Sequence, residues 1–272
     1  MTEPTVARPD IDPVLKMLLD TFPVTFTAAD GVEVARARLR QLKTPPELLP
    51  ELRIEERTVG YDGLTDIPVR VYWPPVVRDN LPVVVYYHGG GWSLGGLDTH
   101  DIWSPRLLNP VAGDSAGGNI SAVMAQLARD VGGPPLVFQL LWYPTTMADL
   151  SLPSFTENAD APILDRDVID AFLAWYVPGL DISDHTMLPT TLAPGNADLS
   201  GLPPAFIGTA EHDPLRDDGA CYAELLTAAG VSVELSNEPT MVHGYVNFAL
   251  VVPAAAEATG RGLAALKRAL HA

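Results

Sequence analysis

Val111-Ala112-Gly113-Asp114-Ser115-Ala116-Gly117-Gly118 holds a G-x-S-x-G pentapeptide behind two small residues and ahead of a helical run, Ala116–Arg129. That is the setting of a serine perched on a sharp strand-to-helix turn. Glycines at 113 and 117 let strand and helix approach closely, which leaves the Ser115 hydroxyl at the tip. The helix that starts there aims backbone N–H groups and its positive dipole end at any negative charge developing beside the serine. Alone, the pentapeptide fits a glycine-rich turn with an ordinary serine cap equally well, so its neighbours decide.

Upstream, Leu81–Tyr87 (LPVVVYY) is a continuous apolar run, expected to be a strand buried on both faces. His88-Gly89-Gly90-Gly91-Trp92 follows it directly. A glycine run at that place supplies backbone N–H groups to an oxyanion. A phosphate-binding loop is the competing reading, but residues 89–96 (GGGWSLGG) do not fit G-x-G-x-x-G and no G-K-[ST] occurs. Downstream, the expected strand Ala205–Thr209 leads into Glu211-His212-Asp213-Pro214-Leu215. The expected strand Val231–Leu235 leads into Met241-Val242-His243-Gly244-Tyr245. A nucleophilic serine needs a base, and the base needs a carboxylate to hold its tautomer. Ser115, Asp213 and His243 all fall at carboxyl ends of strands, one edge of a parallel sheet.

Other candidates fit less well. Asp217 and Asp218 read as helix caps or solvated charges. His212 adjoins Asp213, and alternating side chains at a strand end do not share one site. His100, His185 and His271 have no strand-end context, while His88 fits a role in fixing the glycine loop. Cys221 reads as a buried packing residue. No HExxH or similar ligand spacing occurs, so neither a metal nor another cofactor is expected.

The first fifty residues read as helical. Asp12-Pro13 is a cap with proline at the first helical position, and Ile11, Val14, Leu15, Leu18, Leu19 and Phe22 share one face. A second helix is expected from about Val32 to Leu42, before Pro45-Pro46. Ile54–Val59 and Ile67–Trp73 read as a hairpin around Tyr61-Asp62-Gly63. Leu136–Trp142 is a further buried strand, Asp167–Tyr176 a helix within a proline- and aspartate-rich stretch, Ala220–Ala229 a helix, and Ala254–Leu270 a closing amphipathic helix. Antiparallel strands followed by alternating strands and helices predict an α/β fold: a mostly parallel sheet covered on both faces.

The 272 residues suit one such domain, and an apolar share of 47% supplies a sizeable core. The net charge of −17 opposes phosphate backbones and anionic lipid, which argues against nucleic-acid partners. A single cysteine excludes an intrachain disulfide. The start, Met1-Thr2-Glu3-Pro4, lacks a basic segment followed by an apolar one. No apolar run reaches the roughly 20 residues of a membrane span, so a cytoplasmic protein without membrane insertion is expected.

HGGGW, GDSAGG, HDPLRDDG and HGY, in that order, resemble the hormone-sensitive-lipase family of bacterial carboxylesterases, a branch of the α/β-hydrolases. The likeness covers nearly the whole chain. It implies a serine carboxylesterase for short- to medium-chain acyl esters, with Ser115 as nucleophile, His243 as base and Asp213 as its orienting acid. It also implies an oxyanion hole from the N–H groups of Gly90, Gly91 and Ala116, with Gly89 completing the turn. Residues 1–50 and 144–195 would form a helical cap on a single 1–272 domain. Trp92 and Tyr143 are candidate pocket walls. A non-catalytic protein on the same fold is the rival reading, and an amidase or thioesterase would use the same triad.

One interval departs from the resemblance. Only 18 residues, Ser93 to Pro110, separate HGGGW from Val111. In the family that interval holds a helix, a buried strand ending in a DYRLAPE-like motif, and another helix. A strand–helix crossover takes roughly 30 residues, so one central unit is expected to be missing, as after an internal deletion. Asn109-Pro110 also interrupts the start of the elbow strand. A sheet so shortened leaves an open edge, from which a homodimer is a further expectation.

Overall fold

The computed structural model describes residues 7–22, 28–41, 52–60, 63, 65–74, 83–100 and 111–271. Pro45-Pro46, Tyr61-Asp62, Leu81-Pro82 and the whole 101–110 join lie outside the described residues.

Seven strands and seven α-helices are described. The strands are β1 (Arg53–Val59), β2 (Ile67–Trp73), β3 (Val85–Tyr87), β4 (Val111–Asp114), β5 (Gln139–Trp142), β6 (Ala205–His212) and β7 (Val233–Val242). The helices are α1 (Pro13–Thr21), α2 (Val32–Leu39), α3 (Ala116–Asp130), α4 (Pro153–Glu157), α5 (Arg166–Tyr176), α6 (Arg216–Ala228) and α7 (Pro253–Leu270). α1 starts where the sequence places it: the Asp12 carboxylate accepts from the N–H groups of Val14 and Leu15, and Pro13 opens the first turn.

β3 to β7 form one parallel sheet in sequential order, and β1 and β2 form a separate antiparallel pair. Alternation along the strands divides the core into two layers. Leu140 and Trp142 of β5 and Phe206 of β6 pack with Leu15 of α1 and with Ala255, Ala258 and Leu266 of α7. On the other face, Leu141 and Ile207 pack with Ala122 and Ala125 of α3 and Tyr222 and Leu226 of α6. The helices therefore cover both faces, as the alternation of elements requires.

The expected strand Leu81–Tyr87 is corrected in two respects. Of its described residues only Val85–Tyr87 are strand, and that strand is not buried on both faces: Val85 is 48% exposed. β3 is the last strand of its sheet, paired with β4 and, among the described residues, with no strand on its outer side. An apolar run is buried on both faces only when neighbours cover it, and here one flank is open. β6 and β7 instead run longer than the sequence suggests, through His212 and Val242, with an irregularity in their pairing between Ala210 and His212.

Candidate active site

β4 ends at Asp114 and α3 begins at Ala116, so Ser115 is the single residue of the turn. Its backbone has φ 54° and ψ −121°, in the positive-φ region that non-glycine residues rarely occupy. The turn is held by the Ser115 N–H donating to Trp142 O at 2.9 Å. Strain fixed by its surroundings in this way is the mark of a serine aimed at a reaction.

Asp213 follows β6 and His243 follows β7, and the register of the sheet brings both to Ser115. His243 Nδ1 lies 2.7 Å from Asp213 Oδ2, and His243 Nε2 lies 3.0 Å from Ser115 Oγ. All three side chains are buried. The ionised Asp213 accepts only, so Nδ1 carries the imidazole proton and Nε2 is left to accept from the serine hydroxyl. Asp213 Oδ1 also accepts from the Leu215 N–H at 2.8 Å, while its backbone carbonyl accepts from Asn158 Nδ2 at 3.0 Å. The residue is therefore held through its side chain and its backbone before it meets the histidine. The arrangement can take a proton from Ser115 Oγ and stabilise the resulting imidazolium.

Ser115 opens onto an apolar cavity of about 480 Å³, including its mouth, walled mainly by Leu150, Phe155, Leu164, Ile169, Phe172 and Leu215. Gly91, Trp92 and Ala116 also border it. Trp92 stacks on Tyr176 of α5 with ring centroids 4.9 Å apart. Tyr143, expected as a pocket wall, is corrected: it is wholly buried and does not border the cavity. Its ring instead backs the His243 imidazole, 4.7 Å away between centroids, because the chain turns inward after β5 at φ 35°.

A family model described as the alpha/beta hydrolase fold matches residues 110–247. Carboxylesterase NlhH of Mycobacterium tuberculosis (strain ATCC 25618 / H37Rv) is 83% identical over 319 aligned positions, covering all of both chains. The chain belongs to the alpha/beta-hydrolase fold family. Esterase LipI of the same organism is 47% identical to this hydrolase over 315 positions, with 97% of each chain covered. The solved hyperthermophilic esterase of Pyrobaculum calidifontis superposes with a TM-score of 0.84 at 31% identity, over 97% of the hydrolase and 100% of that chain. The NlhH alignment exceeds the hydrolase's own 272 residues by 47 positions (319 less 272). Triad geometry and kinship together make the hydrolase an enzyme of ester chemistry.

Several residues that build the hydrolase's site carry weaker sequence signals. Asp114, inside the pentapeptide, accepts from the Gly89 N–H at 2.9 Å and from the Tyr86 hydroxyl at 2.6 Å. It thereby ties the glycine loop to the elbow. Burial, with the Asp114 charge added, pushes the Tyr86 phenol well above its ordinary value, so it stays a donor. His88 Nδ1 sits 2.7 Å from Gly89 O, and the ring stacks on His100. His212 points away from the triad, with Nε2 2.9 Å from Pro9 O. Cys221 is only partly buried, because its face of α6 is not covered as the core face is.

Asp217 and Asp218 part company. Asp217 does not cap its own helix: from the first turn of α6 it accepts from the Ser154 N–H of α4 and pairs with Arg216. Asp218 is neither cap nor solvated charge: it is fully buried, because α6 turns it under the loop that follows β5. Burial outweighs its hydrogen bonds and pushes its carboxyl up to about 6. In the unfolded chain it ionises near 3.9, so between about pH 4 and 6 only the folded state keeps the proton. Stability from this group therefore falls as pH rises through that window, by about 3 kcal/mol in all. Denaturant unfolding at pH 4 and pH 7 should show the wild type losing that amount relative to Asp218→Asn. A pH-independent difference would contradict it.

Proposed function

We propose that the protein is a serine carboxylesterase for short- to medium-chain acyl esters. The reading rests on one observation above the others: the Asp213–His243–Ser115 chain of contacts, 2.7 and 3.0 Å, at the mouth of an apolar cavity. Ser115 Oγ attacks the ester carbonyl carbon as His243 Nε2 takes its proton. The tetrahedral intermediate collapses with cleavage of the ester C–O bond, and His243 returns the proton to the departing alkoxide. Water then repeats the sequence on the acyl-enzyme. The apolar lining favours an uncharged acyl chain, since a carboxylate or ammonium there would be desolvated without a partner.

We assign the oxyanion hole to the N–H groups of Gly90, Gly91 and Ala116. Gly91 and Ala116 border the cavity beside Ser115, and a side chain at Gly90 would strike Leu94 O at 2.4 Å. Gly89 has the supporting part, because its N–H is already committed to Asp114. Trp92 belongs to the pocket wall. We treat residues 1–272 as one domain whose cap draws on α2, α4 and α5. Phe155, Leu164, Val168 and Ile169 pack together over Leu215, beside the carboxyl edge of the sheet. α1 belongs with the sheet, as Leu15 lies in the core beneath it.

Turnover of a p-nitrophenyl ester series from acetate to palmitate tests the substrate class. Rates should peak at or below about eight carbons, because a longer chain would have to leave the apolar pocket for solvent. No turnover by folded protein would leave the non-catalytic reading in its place.

We further infer that the 47 unmatched positions (319 less 272) fall between Trp92 and Val111. The inference draws on the open flank of β3 among the described residues, the exposure of Val85 and the separation of the β1–β2 pair from the main sheet. Inserting the corresponding NlhH segment there should raise Tm by several degrees, as restored strand pairing and burial imply. An unchanged or lower Tm would count against that location.

A further inference from the structure

Asp218 is a buried carboxylate that the triad chemistry does not use, and its surroundings are built around it. Its Oδ1 accepts from the Thr146 N–H, from the Thr146 hydroxyl at 2.7 Å and from the Met147 N–H at 3.0 Å. Its Oδ2 accepts from the Ala148 N–H at 3.1 Å. Three consecutive backbone N–H groups thus converge on one carboxylate, a nest that a free loop would not hold. Ala148 has φ 52°, a conformation alanine adopts only under constraint. The loop is pinned on its other side too: Thr145 O accepts from Asn119 Nδ2, and Thr146 O accepts from the Gly195 N–H.

Thr145 and Ala148, the two ends of this loop, border the cavity that contains Ser115. Thr146 and Met147, between them, do not. The hydrogen bonds to Asp218 therefore determine which atoms of the loop face a bound molecule. We propose that Asp218 is a positioning residue for substrate binding, holding the 145–148 loop so that Thr145 and Ala148 form part of the wall against which the acyl chain packs. The proposal rests on the carboxylesterase reading for the identity of the bound molecule. Asp218 touches neither Ser115 nor His243, so its effect is on binding of the chain and grows with chain length.

The distinction from a merely structural carboxylate is measurable. A loosened wall leaves a gap beside each added methylene, whereas a general loss of stability affects every substrate alike. In Asp218→Asn, an amide nitrogen replaces one acceptor and the nest cannot close. The ratio of KM for p-nitrophenyl hexanoate to KM for the acetate is expected to rise about fivefold. Thr146→Val removes only the hydroxyl donor and should move the same ratio in the same direction by about twofold. This milder variant serves if Asp218→Asn does not fold.

The same comparison in Ser115→Ala protein reads binding without turnover. Calorimetric Kd values for the hexanoate and acetate esters, with and without the second substitution, should show the same length-dependent weakening. That arm holds even if the wild type hydrolyses nothing, an outcome that would sink the esterase reading alone. Equal changes in Kd for both esters, or no change in folded variants, would overturn the role given to Asp218.

Discussion

Asp213→Asn is expected to lower kcat for a short p-nitrophenyl ester by about 10⁴-fold, and Ser115→Ala by at least as much. The serine variant loses the nucleophile outright. The asparagine variant keeps every heavy atom in place, and its effect follows from the second hydrogen bond of the carboxylate. Leu215 N–H donates to Asp213 Oδ1, so an asparagine keeps its oxygen there and turns its NH₂ toward His243 Nδ1. Facing a donor, Nδ1 must accept, and the imidazole proton moves to Nε2. Nε2 then meets the Ser115 hydroxyl as a donor and cannot take its proton. KM should change little in Asp213→Asn, since Asp213 does not border the acyl cavity. The two substitutions together should cost no more than the larger alone, because they act as one unit. Asp213→Asn retaining a tenth of wild-type kcat would mean that another group orients His243.

This pair of residues also shows what the sequence makes legible. Each triad member lies within a few residues of a strand end, and the edge of a parallel sheet gathers such positions whatever the loop lengths between them. Local pattern and topology suffice for Ser115, Asp213 and His243. They do not suffice for Asp218. Its burial comes from a loop 72 residues away in sequence, and nothing in Arg216-Asp217-Asp218-Gly219 distinguishes the carboxylate that points in from the one that pairs with Arg216. Tyr143 is hidden for a related reason: a backbone turn at φ 35° sends its ring behind the histidine, and no residue type signals that turn.

The apolar run at 81–87 fails differently. Its composition predicts cover on both faces, while its burial reports what the described residues place beside it. Val85, half exposed on β3, is the residue where the two disagree. The disagreement lies beside the interval that is shorter than the family resemblance implies. A misjudged burial is thus itself informative, since it locates the flank at which the described sheet lacks a neighbour. β4, next inward, is buried along its length, so the open flank of the described sheet lies one strand away from Ser115.

How close that margin is can be tested at Gly117. A Cβ built there would lie 1.9 Å from Tyr87 O, 2.5 Å from Tyr87 C and 2.7 Å from His88 O. All three are backbone atoms, at the point where β3 passes into the glycine loop. Relief requires the end of β3 to move away from β4 or α3 to lift from the turn. The parallel pairing of Tyr87 with Gly113 opposes the first movement, and the Ser115–Trp142 backbone bond opposes the second. Among the described residues β3 has no strand on its far side to share the displacement, so the loop carrying Gly90 and Gly91 moves with it. Gly117→Ala should therefore destabilise the fold by about 3 kcal/mol or more, beyond the usual cost of overpacking. If Gly90 and Gly91 are the oxyanion donors proposed above, any folded fraction should lose about 10²–10³ in kcat as they are displaced. Gly260→Ala is the matched control: it lies in the interior of α7 with nothing within 4 Å of the added Cβ, and should stabilise by about 0.5–1 kcal/mol. Thermal unfolding and turnover of the two variants side by side separate the close approach from the general effect of glycine. Wild-type Tm and activity in Gly117→Ala would mean that α3 and β3 do not meet as closely as the elbow demands.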